Sequence, residues 1–261
     1  MQHQRSMDEK LFRANRAEGD VDHLVNERFF RDKERGVLVE VGAARPDYLS
    51  ISALYRTKGW NVLSIEPNPA YGEHYKNFGI EVLPYACGDH DEDDVDFSVV
   101  DSHGVDYRDG GVTFESWSSL SIKENYGELN PNLEIKKIKV NLRRLDTILQ
   151  THAPDVSEID LIAIDIEGWE LEALSGLNFD YYKPRVLIIE NLFHESSYTT
   201  FMKARGYTLW RCLPPNDIYV RTEMLKPGEL LMARFITTVS RAIGICRVSV
   251  GVTLRGLKRR G

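Results

Sequence analysis

The chain has 261 residues, 42% of them apolar, and a net charge of −7, which suits one large α/β domain with appendages and a sizeable buried core. No apolar run reaches the ~18 residues of a membrane span, and the charged N-terminus lacks the apolar stretch of a secretory signal, so a soluble cytoplasmic protein is expected. Cys87, Cys212 and Cys246 are isolated and odd in number, which argues against a disulfide framework or a paired-cysteine zinc site and for a reducing compartment.

Residues 1–35 read as a helical extension, with Leu24, Val25, Phe29 and Phe30 at helical spacing. A strand at Val37–Val41, a helix over 50–58 closed by Gly59 and a strand at Trp60–Ile65 form a βαβ unit. A helix over Pro69–Phe78, a third strand at Ile80–Tyr85 and an acidic turn over 88–96 follow. The acids of that turn are read as a solvated loop. Residues 97–134 show no clear period and carry aromatic, Ser and Gly residues, which predicts a lid-like insertion over the site.

Next come a strand at Ile135–Asn141, a helix at Leu145–Thr151, a strand at Leu161–Asp165, a helix at Glu170–Ser175 and a strand at Val186–Glu190. After a helix over Ser196–Arg205, the runs Tyr207–Cys212 and Ile218–Arg221 suit an antiparallel hairpin. The main domain is therefore expected over 36–223, and 224–261 is a separate object: eight Lys or Arg against one Glu make it locally +7 and leave −14 on 1–223. In that tail Met232, Phe235, Ile236, Val239, Ile243 and Cys246 share one helical face. Such a basic amphipathic helix either packs on its own domain or docks through 229–260 on an anionic membrane. The second option would place the protein peripherally on the inner face of a membrane.

The most informative feature is that four apolar runs end in carboxylates: Glu40 after Val37–Val39, Glu66 after Val62–Ile65, Asp165 and Glu167 after Leu161–Ile164, and Glu190 after Val186–Ile189. Open parallel sheets bind ligands at the carboxyl ends of their strands, so these acids would converge on one crevice. Gly42, just past the first strand, lets backbone approach a ligand that a Cβ would exclude. The absence of G-x-G-x-x-G removes the glycine signature for a dinucleotide. Glu66, 24 residues after Gly42, can accept two hydrogen bonds from a ribose diol. Each element also has a plainer reading, as turn chemistry for Gly42 and as a solvated strand end for Glu66.

In order and at this spacing they resemble the S-adenosylmethionine site of class I methyltransferases. The fuller resemblance is to the FkbM family, carried by Val39-Glu40-Val41-Gly42-Ala43, Gly59-Trp60 through Ser64-Ile65-Glu66-Pro67-Asn68-Pro69, Ile159-Asp160 through Asp165-Ile166-Glu167-Gly168-Trp169-Glu170, and Gly206-Tyr207. It implies an α/β, Rossmann-like fold: a seven-stranded, mostly parallel sheet with an antiparallel C-terminal hairpin and helices on both faces. The implied activity is O-methylation of a hydroxyl on a glycan, lipid-linked sugar or natural product. By the resemblance, Glu40 and Gly42 would sit by the methionine moiety, Ser50 by its carboxylate and Glu66 on the ribose. Ala86, Cys87 and Asp89 would border the adenine, and Asn68 and Asp165 would join the cofactor contacts. In place of the family's Gly-containing turn after Gly42, this chain has Arg45-Pro46-Asp47.

Methyl transfer to a sugar hydroxyl needs a group that takes its proton. Asp165, Glu190 and Asn191 offer oxygens for a hard divalent cation such as magnesium, an arrangement that resembles catechol-type O-methyltransferases. Those enzymes carry a lysine where this chain has Gly168, so Glu167 or His194 would serve as base. The competing reading makes the carboxylates after Asp165 caps for the following helix. His103 and Ser119, in the insertion, would touch acceptor or cofactor, or pack the lid. An acidic body without a basic-aromatic groove makes nucleic acid an unexpected partner. Methylation of RNA or protein, or a non-catalytic membrane module with a vestigial pocket, are the alternatives.

Overall fold

The computed structural model describes residues 16–101, 106–108, 112–113, 118–120, 134–231 and 233. Two compact units divide the chain between Arg185 and Val186. Together they make a mixed α/β protein of parallel and antiparallel strands with interspersed helices.

The first unit begins with helix α1 (Val21–Val25), continued by a π-helical turn over Asn26–Phe30. Val21, Val25 and Phe30 are buried, and Phe30 meets Trp60 edge-on with ring centroids 5.1 Å apart. Lys58 Nζ donates to Asn26 Oδ1 and to the Phe30 carbonyl, both at 2.6 Å, and the Phe30 carbonyl also accepts the Lys33 N–H at 3.1 Å. Lys33 Nζ reaches Asp160 Oδ1 at 2.6 Å, and the same carboxylate accepts the Val37 N–H at 3.0 Å. The leading segment is thus pinned beside the start of the first strand.

Strand β1 (Val37–Val41) runs parallel to β2 (Asn61–Ile65) and to β8 (Leu161–Ile164). β8 is buried along its whole length and β1 from Leu38 onward, so these two strands read as near-continuous apolar runs rather than as alternation. Helix α2 (Ser52–Thr57) joins β1 to β2, and helix α3 (Pro69–Asn77) follows β2. Asn68 is the N-cap of α3, its side chain accepting the Ala70 N–H, with Pro69 at the position where a missing N–H costs nothing.

The third strand forms later than the sequence suggested. Leu83 makes one parallel bridge to Ile65, but Pro84 has no N–H to extend a ladder. The strand proper, β3 (Tyr85–Cys87), pairs instead with β7 (Glu134–Arg143). The acidic stretch also differs from the expected turn. From Glu92 it is strand β4 (Glu92–Asp101), antiparallel to β7. Its acids meet the bases of β7: Asp96 with Lys139 at 2.7 Å, and Asp93 with Arg143. Opposite charges across an antiparallel pair favour strand where a one-sided count of acids suggests solvated loop. A bulge between Glu92 and Val95, with Asp94 at φ 55°, absorbs the irregularity.

Residues 97–101 of the expected insertion continue β4, and β5 (Asp106–Arg108) pairs with β6 (Val112–Thr113) as a short hairpin. Phe97, Val140, Leu142 and Ala86 form a core under this sheet. Helices α4 (Leu145–His152), α5 (Glu170–Ser175) and α6 (Phe179–Tyr182) complete the unit.

The second unit holds β9 (Val186–Glu190), helix α7 (Ser196–Ala204), β10 (Tyr207–Leu213) and β11 (Asn216–Arg221). β11 lies between β9 and β10 and is antiparallel to both. A helical turn begins after Lys226, whose N–H is capped by Glu229 Oε2 at 3.0 Å. The tail pattern from Arg234 onward lies outside the described residues. Among the described residues no helix is long and apolar enough to cross a membrane.

Gly176, just past α5, leaves no room for a side chain: a Cβ there would lie 2.2 Å from the Gly88 carbonyl oxygen and 3.1 Å from the Arg144 backbone. Gly176→Ala is therefore expected to lower unfolding free energy by about 1–3 kcal/mol in urea titrations. Ser175→Ala, at the exposed neighbour, should stay within about 0.5 kcal/mol of the parent protein.

Candidate active site

Parallel pairing sets Glu40 opposite Ser64 and Val41 opposite both Ile65 and Ile164, so the strand ends of β1, β2 and β8 finish level with one another. Gly42 turns the chain there with φ 74°. A Cβ at this position would sit 1.8 Å from the Asp165 carbonyl oxygen. Glycine is thus demanded first by the protein's own backbone, and the close approach expected of it is an approach to β8's exit. The turn is tied down by hydrogen bonds from the Gly42 and Ala43 N–H groups to the Ile65 carbonyl at 3.0 and 3.1 Å. Tyr75 of α3 adds another, its hydroxyl donating to the Ala43 carbonyl at 3.1 Å.

Glu40 is buried and densely solvated by protein. Its Oε1 accepts the Ser52 N–H at 3.0 Å and the Ser50 hydroxyl at 3.3 Å, and its Oε2 accepts the Ser64 hydroxyl at 3.2 Å. Arg56 donates to the same Ser64 oxygen at 2.7 Å, so a positive charge reaches the carboxylate through one hydroxyl. Ser52, Ser64 and Arg56 are the parts of this site that sequence reasoning missed. Ser64 is visible only once β1 and β2 are in register, and Arg56 only once α2 is laid against β2.

Glu66 is held differently. Oε1 accepts the Asn68 N–H at 2.8 Å and Oε2 accepts the Ala44 N–H at 3.0 Å, with no cation among these partners. Burial pushes its carboxyl up to about 7, the two N–H groups pull the other way, and the charge of Asp165 adds to the rise. Asn68, 2% exposed, spends its Oδ1 on capping α3. Its Nδ2 is buried without a hydrogen-bond partner among the described residues. A buried unpaired donor costs about 1–3 kcal/mol, and this one sits two residues from a carboxyl that burial raises.

The loop after Gly42 is closed by Arg45, whose Nε and Nη2 donate to the two carboxylate oxygens of Asp47 at 3.0 and 2.8 Å. That pairing holds the Asp47 carboxyl below the usual range and supplies in side chains what a glycine turn supplies in backbone. Ala86 and Cys87 are buried, and burial, followed by the Glu66 charge, pushes the Cys87 thiol up. Asp89 is exposed and hydrogen-bonded to His90 at 2.6 Å.

After β8, Asp165 donates its N–H to the Val41 carbonyl at 3.0 Å and its side chain is exposed. Glu167 is nearly buried at φ 59°. Glu170 folds back so that its Oε1 accepts the Ile166 and Gly168 N–H groups at 3.0 and 2.9 Å. This acid shapes the Asp165–Trp169 turn instead of capping its own helix, whose N-cap Trp169 makes no side-chain cap bond. Ser119 bridges Ser98 in the strand order of the insertion, and its hydroxyl is buried without a partner among the described residues. His103 lies outside the described residues.

In the second unit, Glu190 ends β9 and is half-buried. Asn191 is buried, its amide oxygen accepting the Glu195 N–H at 2.8 Å. Its Nδ2 donates to Asp217 Oδ2 at 2.9 Å and to the Glu195 carbonyl at 3.2 Å. His194, at φ 53°, closes that turn with its N–H on the Asn191 carbonyl.

The raised Glu66 carboxyl has a sign that can be measured in the cofactor-free protein. Because the folded value lies above that of an unfolded glutamate, stability is fullest below pH 4.5 and falls as pH rises to about 7. The total loss is at most about 3 kcal/mol. Urea unfolding from pH 4.5 to 8 should show this decline, and Glu66→Gln should flatten it.

The model of the FkbM methyltransferase domain matches residues 40–209, from the buried acid of β1 to the middle of β10. No curated protein shows a significant match to the chain. The match spans most of the chain and contains Glu40, Gly42, Glu66, Asp165 and Glu190, so the chain belongs to the FkbM methyltransferase family.

Proposed function

We propose that the protein is an S-adenosylmethionine-dependent O-methyltransferase whose cofactor lies across the C-terminal ends of β1 and β2 and whose acceptor is a hydroxyl of a glycan, lipid-linked sugar or natural product. On this reading the strands belong to a seven-stranded Rossmann-like class I sheet. The observation that carries it is the pair Glu66 and Asn68. Each Glu66 oxygen accepts one N–H and keeps a lone pair, and Asn68 Nδ2 is a buried donor without a partner among the described residues. A ribose diol supplies two donors and acceptors of its own, so it answers both at once.

When bound, S-adenosylmethionine supplies a sulfonium methyl for in-line displacement by an acceptor oxygen. The chain's own residues hold and orient it: Glu66 and Asn68 on the ribose, Ala86 and Cys87 as the apolar wall for the base with Asp89 at its rim, and Glu40, Gly42 and Ser50 around the methionine end. Ser50 already donates to Glu40, which leaves its oxygen able to accept from the cofactor's ammonium or its hydroxyl to be redirected to the carboxylate. Asp165 and Glu167, in the turn after β8, are the candidate proton acceptors, with His194 the alternative base. Magnesium is the remaining element of the reading, and turnover with and without a chelator decides it. The excess of eight Lys or Arg over one Glu in 224–261 supports an acceptor presented at an anionic surface and a peripheral membrane association of a cytoplasmic enzyme. The acidic body speaks against a nucleic-acid substrate.

Calorimetry with S-adenosylhomocysteine on the full chain tests the cofactor half. Binding is expected for the parent protein, with Glu66→Ala weakening it by about 10- to 100-fold, the loss of hydrogen bonds to a charged group. Asn68→Ala should weaken it less, by about tenfold. Absence of binding by the parent protein would overturn the reading.

A further inference from the structure

The second unit carries a cluster of which the methyltransferase reading draws only on His194, as an alternative base. Cys212 on β10 and Asp217 on β11 are register partners, so their side chains leave the hairpin on the same face. His194 comes from the turn after β9, and its Nδ1 lies 3.7 Å from Cys212 Sγ. One donor atom from each of His194, Cys212 and Asp217 falls within 4.8 Å of the other two. In a nucleophile relay the thiol and the acid sit at opposite edges of the imidazole, whereas here a single imidazole nitrogen lies within 4.8 Å of both.

We infer that His194, Cys212 and Asp217 form a binding site for a zinc ion. Tetrahedral zinc with a sulfur ligand at ~2.3 Å and a nitrogen ligand at ~2.0 Å separates those two atoms by about 3.5 Å, close to the 3.7 Å between Cys212 Sγ and His194 Nδ1. A nitrogen, a sulfur and an oxygen donor select a borderline-soft cation over magnesium or calcium. Metal sites of this kind orient their ligands through outer hydrogen bonds. Here Asp217, itself 2% exposed, has one carboxylate oxygen fixed by Asn191 Nδ2 at 2.9 Å and by the Tyr219 hydroxyl at 3.2 Å. Asn191, expected from the sequence to be a ligand for a hard cation, is thereby an outer support of a different site. The turn bearing His194 is in turn closed by the Asn191 side chain on the Glu195 N–H. His194 and Cys212 are half-buried, which leaves the ion a path in. Three protein donors leave one tetrahedral position for water or an incoming anionic or hydroxyl group. Binding converts the Cys212 thiol to a thiolate, releasing one proton for each ion bound, so affinity rises with pH.

Cobalt(II) titration of the full chain reads the site directly, because a cobalt–thiolate bond gives a near-ultraviolet charge-transfer band. The parent protein is expected to bind one equivalent with that band and tetrahedral visible absorption, and zinc should displace it. Cys212→Ser should abolish the band, and Cys246→Ser should keep it. His194→Gln and Asp217→Asn should each weaken cobalt binding by at least about tenfold with unchanged far-ultraviolet circular dichroism. Zinc should raise the melting temperature of the parent protein and not that of Cys212→Ser. A parent protein without the band, or a band that survives in Cys212→Ser and is lost in Cys246→Ser, would overturn the inference.

Discussion

The contact on which the candidate site depends is between backbone atoms: the turn at Gly42 lies against the carbonyl of Asp165, where a single added carbon would come within 1.8 Å of that oxygen. Parallel register brings β1 and β8 level at Val41 and Ile164, and only a residue without a Cβ lets the next step of both strands continue side by side. Because the two chains leave their strands at contact distance, the Asp165 charge reaches Glu66 and contributes to its raised carboxyl. A larger residue at 42 would separate the strand ends and dissolve that electrostatic neighbourhood along with the ladder.

Around this contact the two inner acids are kept in opposite ways. Glu40 is compensated by two serine hydroxyls, one N–H and, through Ser64, the Arg56 guanidinium. It fixes the start of α2 to β1 and β2. Glu66 receives two N–H groups and no cation, and burial dominates its titration. Burying a carboxylate costs several kcal/mol, which a chain built for stability alone would offset with a positive partner. An under-compensated acid next to an unspent Asn68 donor is what a site retains for a ligand that brings its own hydroxyls.

Much of this was legible from residues alone because each strand carried its own signal. The apolar runs ending at Glu40, Glu66 and Glu190 became β1, β2 and β9 with bounds within a residue, and Pro69 and Glu170 opened helices where N-terminal chemistry places them. What escaped were features decided by pairing. Pro84 moved the third strand from 80–85 to Tyr85–Cys87, since a missing N–H acts only once a partner strand is chosen. The acids of 92–96 looked like solvated loop because the lysines and arginines that face them lie more than 40 residues away, on β7. Ser64 and Arg56 were invisible for the same reason, being ordinary residues until register puts them beside Glu40. The convergence of His194, Cys212 and Asp217 likewise exists only after β10 and β11 have paired.

Hydrogen–deuterium exchange with and without S-adenosylhomocysteine tests most directly whether the cofactor lies across the ends of β1 and β2. Protection should rise in peptides covering 40–52 and 64–70, where Glu40, Gly42, Ser50, Glu66 and Asn68 lie. Ligand binding that leaves both peptides unchanged, or that protects only residues beyond Arg185, would contradict the account.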